Sequence, residues 1–298
     1  MAVFYARFLS AALCGRHSRS ECRYHSARAI YAKQSRGSSL PVKNGGKPMH
    51  IIQKGLFATI AILSSVQTPG QAAATQASTT QAVAIAAKSV CRPTFKVDTV
   101  SYQAGTAFLL RGARPLLLTA HHLFGPEGGL EKPVTWQDMP AHAQLLTCKP
   151  IGGGASVSGQ TAVAVPDAHA MSPDDQSGAI NDVAVFRSSS ENSSAVYLAL
   201  STTPPKEGDT VWLIAEVRGS NSPLHAAHVV GFQNGALVFA YDDSKLDLQA
   251  TSGAPIVNAK GEVVGLNLGG GYDAEAKTVI GVGDGLAVLT KAVAIGSR

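Results

Sequence analysis

From residue 88 onward, short apolar segments alternate with turn residues at roughly 8–12-residue intervals, the rhythm of an antiparallel β protein rather than of a helical one. Strands are predicted over 105–110, 116–120, 182–186, 210–215, 228–232, 236–240, 255–257 and 262–268. The tight reversals between them fall at Arg111-Gly-Ala-Arg-Pro115, Gln233-Asn-Gly235 and Asn258-Ala-Lys-Gly261, which supply the Gly, Asn and Pro that such turns need. A helical period is found only at the end, over 286–295. The segment 125–177 carries too little pattern to place. Thr202-Thr-Pro-Pro-Lys-Glu-Gly-Asp209 separates two groups of strands and divides the chain into β subdomains at 88–201 and 202–298.

Charge changes the picture of the front. The whole chain of 298 residues carries +5, which invites a nucleic-acid reading. Residues 1–74, however, hold ten Lys or Arg against a single acid, Glu21, and the remainder is left at −4. The basic character therefore belongs to a leader, and no nucleic-acid partner is expected. Within it, Met49 to Lys54 forms a short basic start, 55–66 an apolar run too short to span a bilayer, and 70–74 a set of small residues suited to a peptidase. Residues 49–74 thus read as a signal peptide, with 1–48 a spurious upstream extension and Met49 the true start. A transit peptide and an uncleaved anchor are the alternatives. The small-residue stretch 75–87 reads as a linker. The expected destination is secreted or periplasmic, with no stable membrane insertion after cleavage.

Cysteine usage is compatible with that route. Cys14 and Cys22 lie in the leader, and Cys91 and Cys148 could bridge in an oxidising compartment or remain as two buried thiols. No Cys/His pattern suggests a metal.

Three segments carry chemistry. Leu116-Leu-Leu-Thr-Ala-His-His122 puts two histidines at the end of an apolar strand, and Asn181-Asp182 puts a carboxylate just before another. Gln249-Ala-Thr-Ser252-Gly-Ala-Pro255 sets a serine among small residues, where main-chain N–H groups can converge on a developing oxyanion. Taken singly, each also fits a bystander: a structural histidine, a capping aspartate, a Ser-Gly turn. Together they follow the order His, Asp, Ser at separations of 60 and 70 residues, which is the order of the chymotrypsin fold and not of other triad folds.

On these residues the chain resembles the trypsin-like serine protease family. Thr119-Ala-His-His122 is similar to that family's Thr-Ala-Ala-His, Asp182-Val-Ala-Val to its Asp-Ile-Ala-Leu, and Ser252-Gly-Ala-Pro to its Ser-Gly-Gly-Pro. Gly105-Thr-Ala-Phe and Gly265-Leu-Asn-Leu-Gly-Gly270 extend the likeness. The resemblance implies an all-β fold of two six-stranded antiparallel barrels with a C-terminal helix. The first barrel would carry His122 and Asp182 and the second Ser252. It implies a triad of His122, Asp182 and Ser252, with His122 preferred over His121 by its place in the motif. It further implies an oxyanion hole from the N–H groups of Ala250 and Ser252. Leu246, Asp247, Leu268, Gly269 and Gly270 would lie along the substrate pocket. The implied activity is serine endopeptidase, without cofactor, on protein or peptide substrates. A silent binding barrel and an esterase using the same triad are the alternatives, and oligomeric state is not legible.

Two departures stand out. Ala250-Thr251 replaces the family's Gly-Asp, and a Cβ in the left-handed backbone region that glycine occupies costs about 1–2 kcal/mol. Either this loop takes another shape or the hole is imperfect. The missing Asp also removes the usual partner of a freshly cut N-terminal ammonium.

Overall fold

The computed structural model describes residues 81–171, 180–188, 192–233 and 235–298. The leader and its signal peptide lie outside the described residues.

The first barrel is built from β1 (Val90–Cys91), β2 (Thr94–Val97), β3 (Val100–Gln103), β4 (Ala107–Arg111), β5 (Pro115–Ala120), β6 (Ala143–Cys148), β7 (Val157–Ala162) and β8 (Val183–Ser188), in the order β1-β4-β5-β8-β7-β6-β2-β3. These eight segments amount to six strands. β1 and β2 are halves of one strand broken at Arg92-Pro93, where proline removes a ladder donor. β3 and β4 are halves of another, broken at Ala104-Gly105-Thr106. The two bent strands pair along both halves, Val90 with Phe108 and Phe95 with Tyr102, while β2 also pairs with β6. The sheet thereby returns on itself. Phe95, Phe108, Phe124 and Phe186 fill its interior, and Phe124 bridges Phe95 and Phe186 by ring contacts.

The second barrel is closed by six strands in the order β10-β11-β14-β13-β12-β9. They are β9 (Thr210–Ile214), β10 (Leu224–Gln233), β11 (Ala236–Tyr241), β12 (Pro255–Val257), β13 (Val263–Asp273) and β14 (Thr278–Gly285). Val211, Leu213, Phe239, Ile256 and Val264 belong to its apolar interior. The expected fold class, two β-barrels and a terminal helix, is the one observed.

Several elements exceed their expected extent. β13 runs five residues past the predicted end at 268, and β14 was not predicted. In the unplaced stretch lie β6, β7 and a four-residue helical turn, Met139–His142. Residues 81–86, assigned to the linker, are helical instead, and Val83, Ala86 and Ala87 are buried in the first core. A linker exposes its backbone, whereas these small side chains allow close docking. Cys91 and Cys148 are disulfide-bonded, tying β1 to β6.

The connection ahead of β9 and the C-terminal helix both join parts of the fold. The connection ahead of β9 pairs Leu198 with Leu110 of the first barrel and Leu200 with Val263 of the second. The C-terminal helix, Leu286–Gly296, buries Leu286, Leu289 and Ala292, and Arg187 Nε donates to its last carbonyl, Gly296 O, at 2.8 Å. A cation there also complements the helix dipole. Among the described residues no helix is long and apolar enough to cross a membrane.

Candidate active site

The apolar strand β5 ends at Ala120, still extended, and the chain turns into the 3-10 segment His121–Phe124, all four residues of which are buried. The turn sends the two histidines to different partners. His121 Nε2 lies 3.0 Å from Val134 O, whereas His122 Nδ1 lies 2.8 Å from Asp182 Oδ2. Asp182 is fully buried at the entry to β8. Its Oδ1 accepts the main-chain N–H of His122 at 2.8 Å and its Oδ2 that of Met171 at 2.9 Å. Its main-chain carbonyl accepts the N–H of His121 at 3.0 Å. The carboxylate thus holds both the ring and the backbone of His122, fixing Nδ1–H toward itself and leaving Nε2 for other work.

Burial alone would lower the pKa of His122, but the charge and hydrogen bond of Asp182 outweigh it and hold the ring above its ordinary value. Burial dominates at His121, which is held low. Glu127, half exposed, brings Oε2 to 3.8 Å from His122 Nε2.

Ser252 sits on the loop ahead of β12. Asn267, fully buried on β13, donates through Nδ2 to both O and Oγ1 of Thr251, each at 3.0 Å. The first barrel holds the same loop. Thr106 donates its N–H to Ser252 O at 2.8 Å and its hydroxyl to Ala250 O at 3.0 Å. Gly105, at φ +58°, makes room for this approach, because a Cβ there would lie 2.6 Å from Ser252 O. The N–H groups of Gln249, Thr251, Gly253 and Ala254 are all hydrogen-bonded, to Asp247 Oδ1, Leu248 O, Asn267 O and Thr251 O. Those of Ala250 and Ser252 have no hydrogen-bond partner among the described residues. Ala250 takes φ +64°, the left-handed value expected of a glycine, in a turn closed by Thr251 N–H to Leu248 O at 3.2 Å. A positive φ at the third residue is what a type II turn requires. Ser252 is half-buried and its Oγ donates to Leu268 O at 3.0 Å, while no hydrogen bond joins it to His122.

The residues expected along a substrate pocket divide. Leu246 is buried in the second barrel's interior, and the Asp247 carboxylate is occupied by the Gln249 N–H. Leu268 offers its carbonyl to Ser252, and its side chain is buried. Gly269 and Gly270 follow it on β13, and the side chain of Leu248 lies against Gly270. Thr106, Asn267, Glu127 and Asp284 were not singled out from the sequence. Asp284 left a trace, a lone acid inside Ile280-Gly-Val-Gly-Asp-Gly285. Among the described residues no three His, Cys, Asp or Glu side chains group as metal ligands.

Residues 105–266, more than half of the chain, match the family model of the trypsin-like peptidase domain. The chain belongs to this family. It is accordingly a serine-type peptidase, a hydrolase whose substrates are proteins or peptides. Among solved structures, the active form of the Rv3671c protease from M. tuberculosis is 16% identical, with 83% of this chain and 96% of that one covered at a TM-score of 0.45. The serine endoprotease from Yersinia pestis is 18% identical, with 72% and 64% covered at 0.47. Deg5 is 14% identical, with 72% and 92% covered at 0.43. No curated protein matches the sequence.

Within this trypsin-like peptidase, Ala250 offers a clean test of loop shape. Since Ala250 already holds the left-handed conformation, Ala250→Gly removes the Cβ strain without moving the loop. We expect a gain of up to about 1 kcal/mol in unfolding free energy, reduced by glycine's larger unfolded-state entropy. The expected kcat stays within about threefold of the parent, a change worth under ~1 kcal/mol. A tenfold rise would mean that the natural loop is misshapen.

Proposed function

We propose that this peptidase is an exported endopeptidase that cleaves through a His122–Asp182–Ser252 triad and an acyl-enzyme. Ser252 Oγ attacks the substrate carbonyl while His122 Nε2 takes its proton. Asp182 keeps Nδ1–H in place and stabilises the imidazolium. The proton then passes to the leaving amine, and water releases the acyl group by the same steps in reverse. The observation that carries this reading is the loop's selective use of its N–H groups. Four of the six from Gln249 to Ala254 are spent internally, and the two without a partner, Ala250 and Ser252, are the pair that would receive an oxyanion. Export is supported by the basic and apolar leader and by the Cys91–Cys148 disulfide, a bond that persists in oxidising compartments.

The Ser252–Leu268 hydrogen bond favours a second reading, a silent barrel in which the hydroxyl is not engaged by a base. A fluorophosphonate probe separates the two. The full chain is expected to label at one residue, with a rate that climbs as pH rises through the raised pKa of His122, because only the neutral ring accepts a proton. Ser252→Ala is expected not to label. Full labelling of that variant, or none of the parent, rejects the triad.

A further inference from the structure

We propose that Asp284 is a positioning residue for the relay, a carboxyl from the second barrel that holds Asp182 by its main chain and leaves the relay's charge to Asp182 alone. The proposal rests on the triad reading above and deepens it.

Asp284 lies on β14, opposite Ala236 of β11 and Leu266 of β13, and is fully buried. Its Oδ2 accepts the main-chain N–H of Asp182 from across the barrel interface at 2.9 Å. Asp182 in turn grips His122 at both ring and backbone. A chain of hydrogen bonds therefore runs from the second barrel, through the peptide of Asp182, to the imidazole. Without Asp284 that N–H would be a buried donor with no acceptor.

The charge state follows from the surroundings. Asp284 is buried away from water, and the titratable groups acting on it are Asp182 at the start of β8 and His122 on the turn after β5. Its other oxygen, Oδ1, has no hydrogen-bond partner among the described residues. An ionised carboxylate with one bare oxygen beside a second carboxylate is strongly disfavoured, so the proton stays on Oδ1 while Oδ2 accepts. Burial first, and the Asp182 charge second, push its pKa well up, which outweighs the lowering by the Asp182 N–H and by His122. Asp284 strengthens the pull on His122 only where it ionises.

The sign of the linkage is fixed by this. A carboxyl whose folded-state pKa lies above its unfolded value contributes its full stability below the unfolded value. That stability is lost as pH rises toward the folded one.

The test uses the full chain with Asp284→Asn and Asp284→Leu. The amide oxygen of Asn replaces the acceptor without a titrating proton. Asp284→Asn should therefore recover most of the kcat that Asp284→Leu loses and leave the apparent pKa of His122 in the rate profile unchanged. Its thermal stability relative to the parent should climb as pH rises above the ordinary carboxylate range. Asp284→Leu, which removes the acceptor, is expected to lose about tenfold or more in kcat with KM held. A drop of about one unit or more in the His122 pKa in Asp284→Asn would mean that Asp284 is charged. A stability difference flat across pH, or full kcat in a folded Asp284→Leu, equally overturns the proposal. If Asp284→Leu does not fold, the Asn variant decides alone. Should the parent hydrolyse nothing, the triad reading falls, and stability against pH still reports on Asp284.

Discussion

His122→Ala is expected to lower kcat by about 10⁶-fold, and Asp182→Asn by about 10⁴-fold, with KM little changed in either. On the proposed triad, the first removes the base itself. The second is the sharper probe, because the Asp182 carboxylate accepts three N–H donors, from His122 Nδ1, the His122 main chain and Met171. An amide has one acceptor oxygen and must turn its NH₂ toward one of these donors. When that group faces Nδ1, the ring moves its proton to Nε2 and cannot accept from Ser252. Steady-state kinetics on a peptide substrate, with circular dichroism to verify folding, measures both. An Asp182→Asn protein within about tenfold of the parent would show that Asp182 does not set the tautomer.

Gly253→Ala is expected to cost on the order of 3 kcal/mol or more in stability and to remove activity with it. Gly253 holds φ +85° and is packed from the first barrel, where a Cβ would lie 2.2 Å from Thr106 O, 2.5 Å from Thr119 Oγ1 and 2.9 Å from Ala120 N. These are main-chain or hydrogen-bonded atoms, since Thr119 Oγ1 already donates to Thr106 O at 2.7 Å. They cannot swing aside as a flexible side chain would. Urea denaturation measures the loss, and a stability within about 1 kcal/mol of the parent would mean that the barrels can part at this point.

The legibility of the sequence tracked how each element buries itself. β4, β5 and β8 lie deep in the first core, so their runs Ala-Phe-Leu-Leu, Leu-Leu-Leu and Val-Ala-Val-Phe announce themselves. His122 and Asp182 stand beside the ends of these runs, and it is their order with Ser252, not that position alone, that singles them out. β14 hides for the opposite reason. Glycine fills three of its eight positions because neighbours leave no room: the Phe239 ring lies against Gly281, and the Leu266 carbonyl against Gly283. Such a strand has little β propensity to detect. β1 to β3 are short halves of bent strands, and β6 and β7 alternate weakly, so their pairing is set by long-range closure rather than local pattern. Ala250 shows the reverse limit. Its identity raised the question of strain, but only the backbone angle gave the answer.

The connection ahead of β9 has a dynamic consequence. Leu198 is a ladder partner of the first barrel and Leu200 of the second, with a single residue between them. Two residues of extended chain reach about 7 Å at most. The two barrels can therefore turn about this point but cannot slide apart there without tearing one of those pairs.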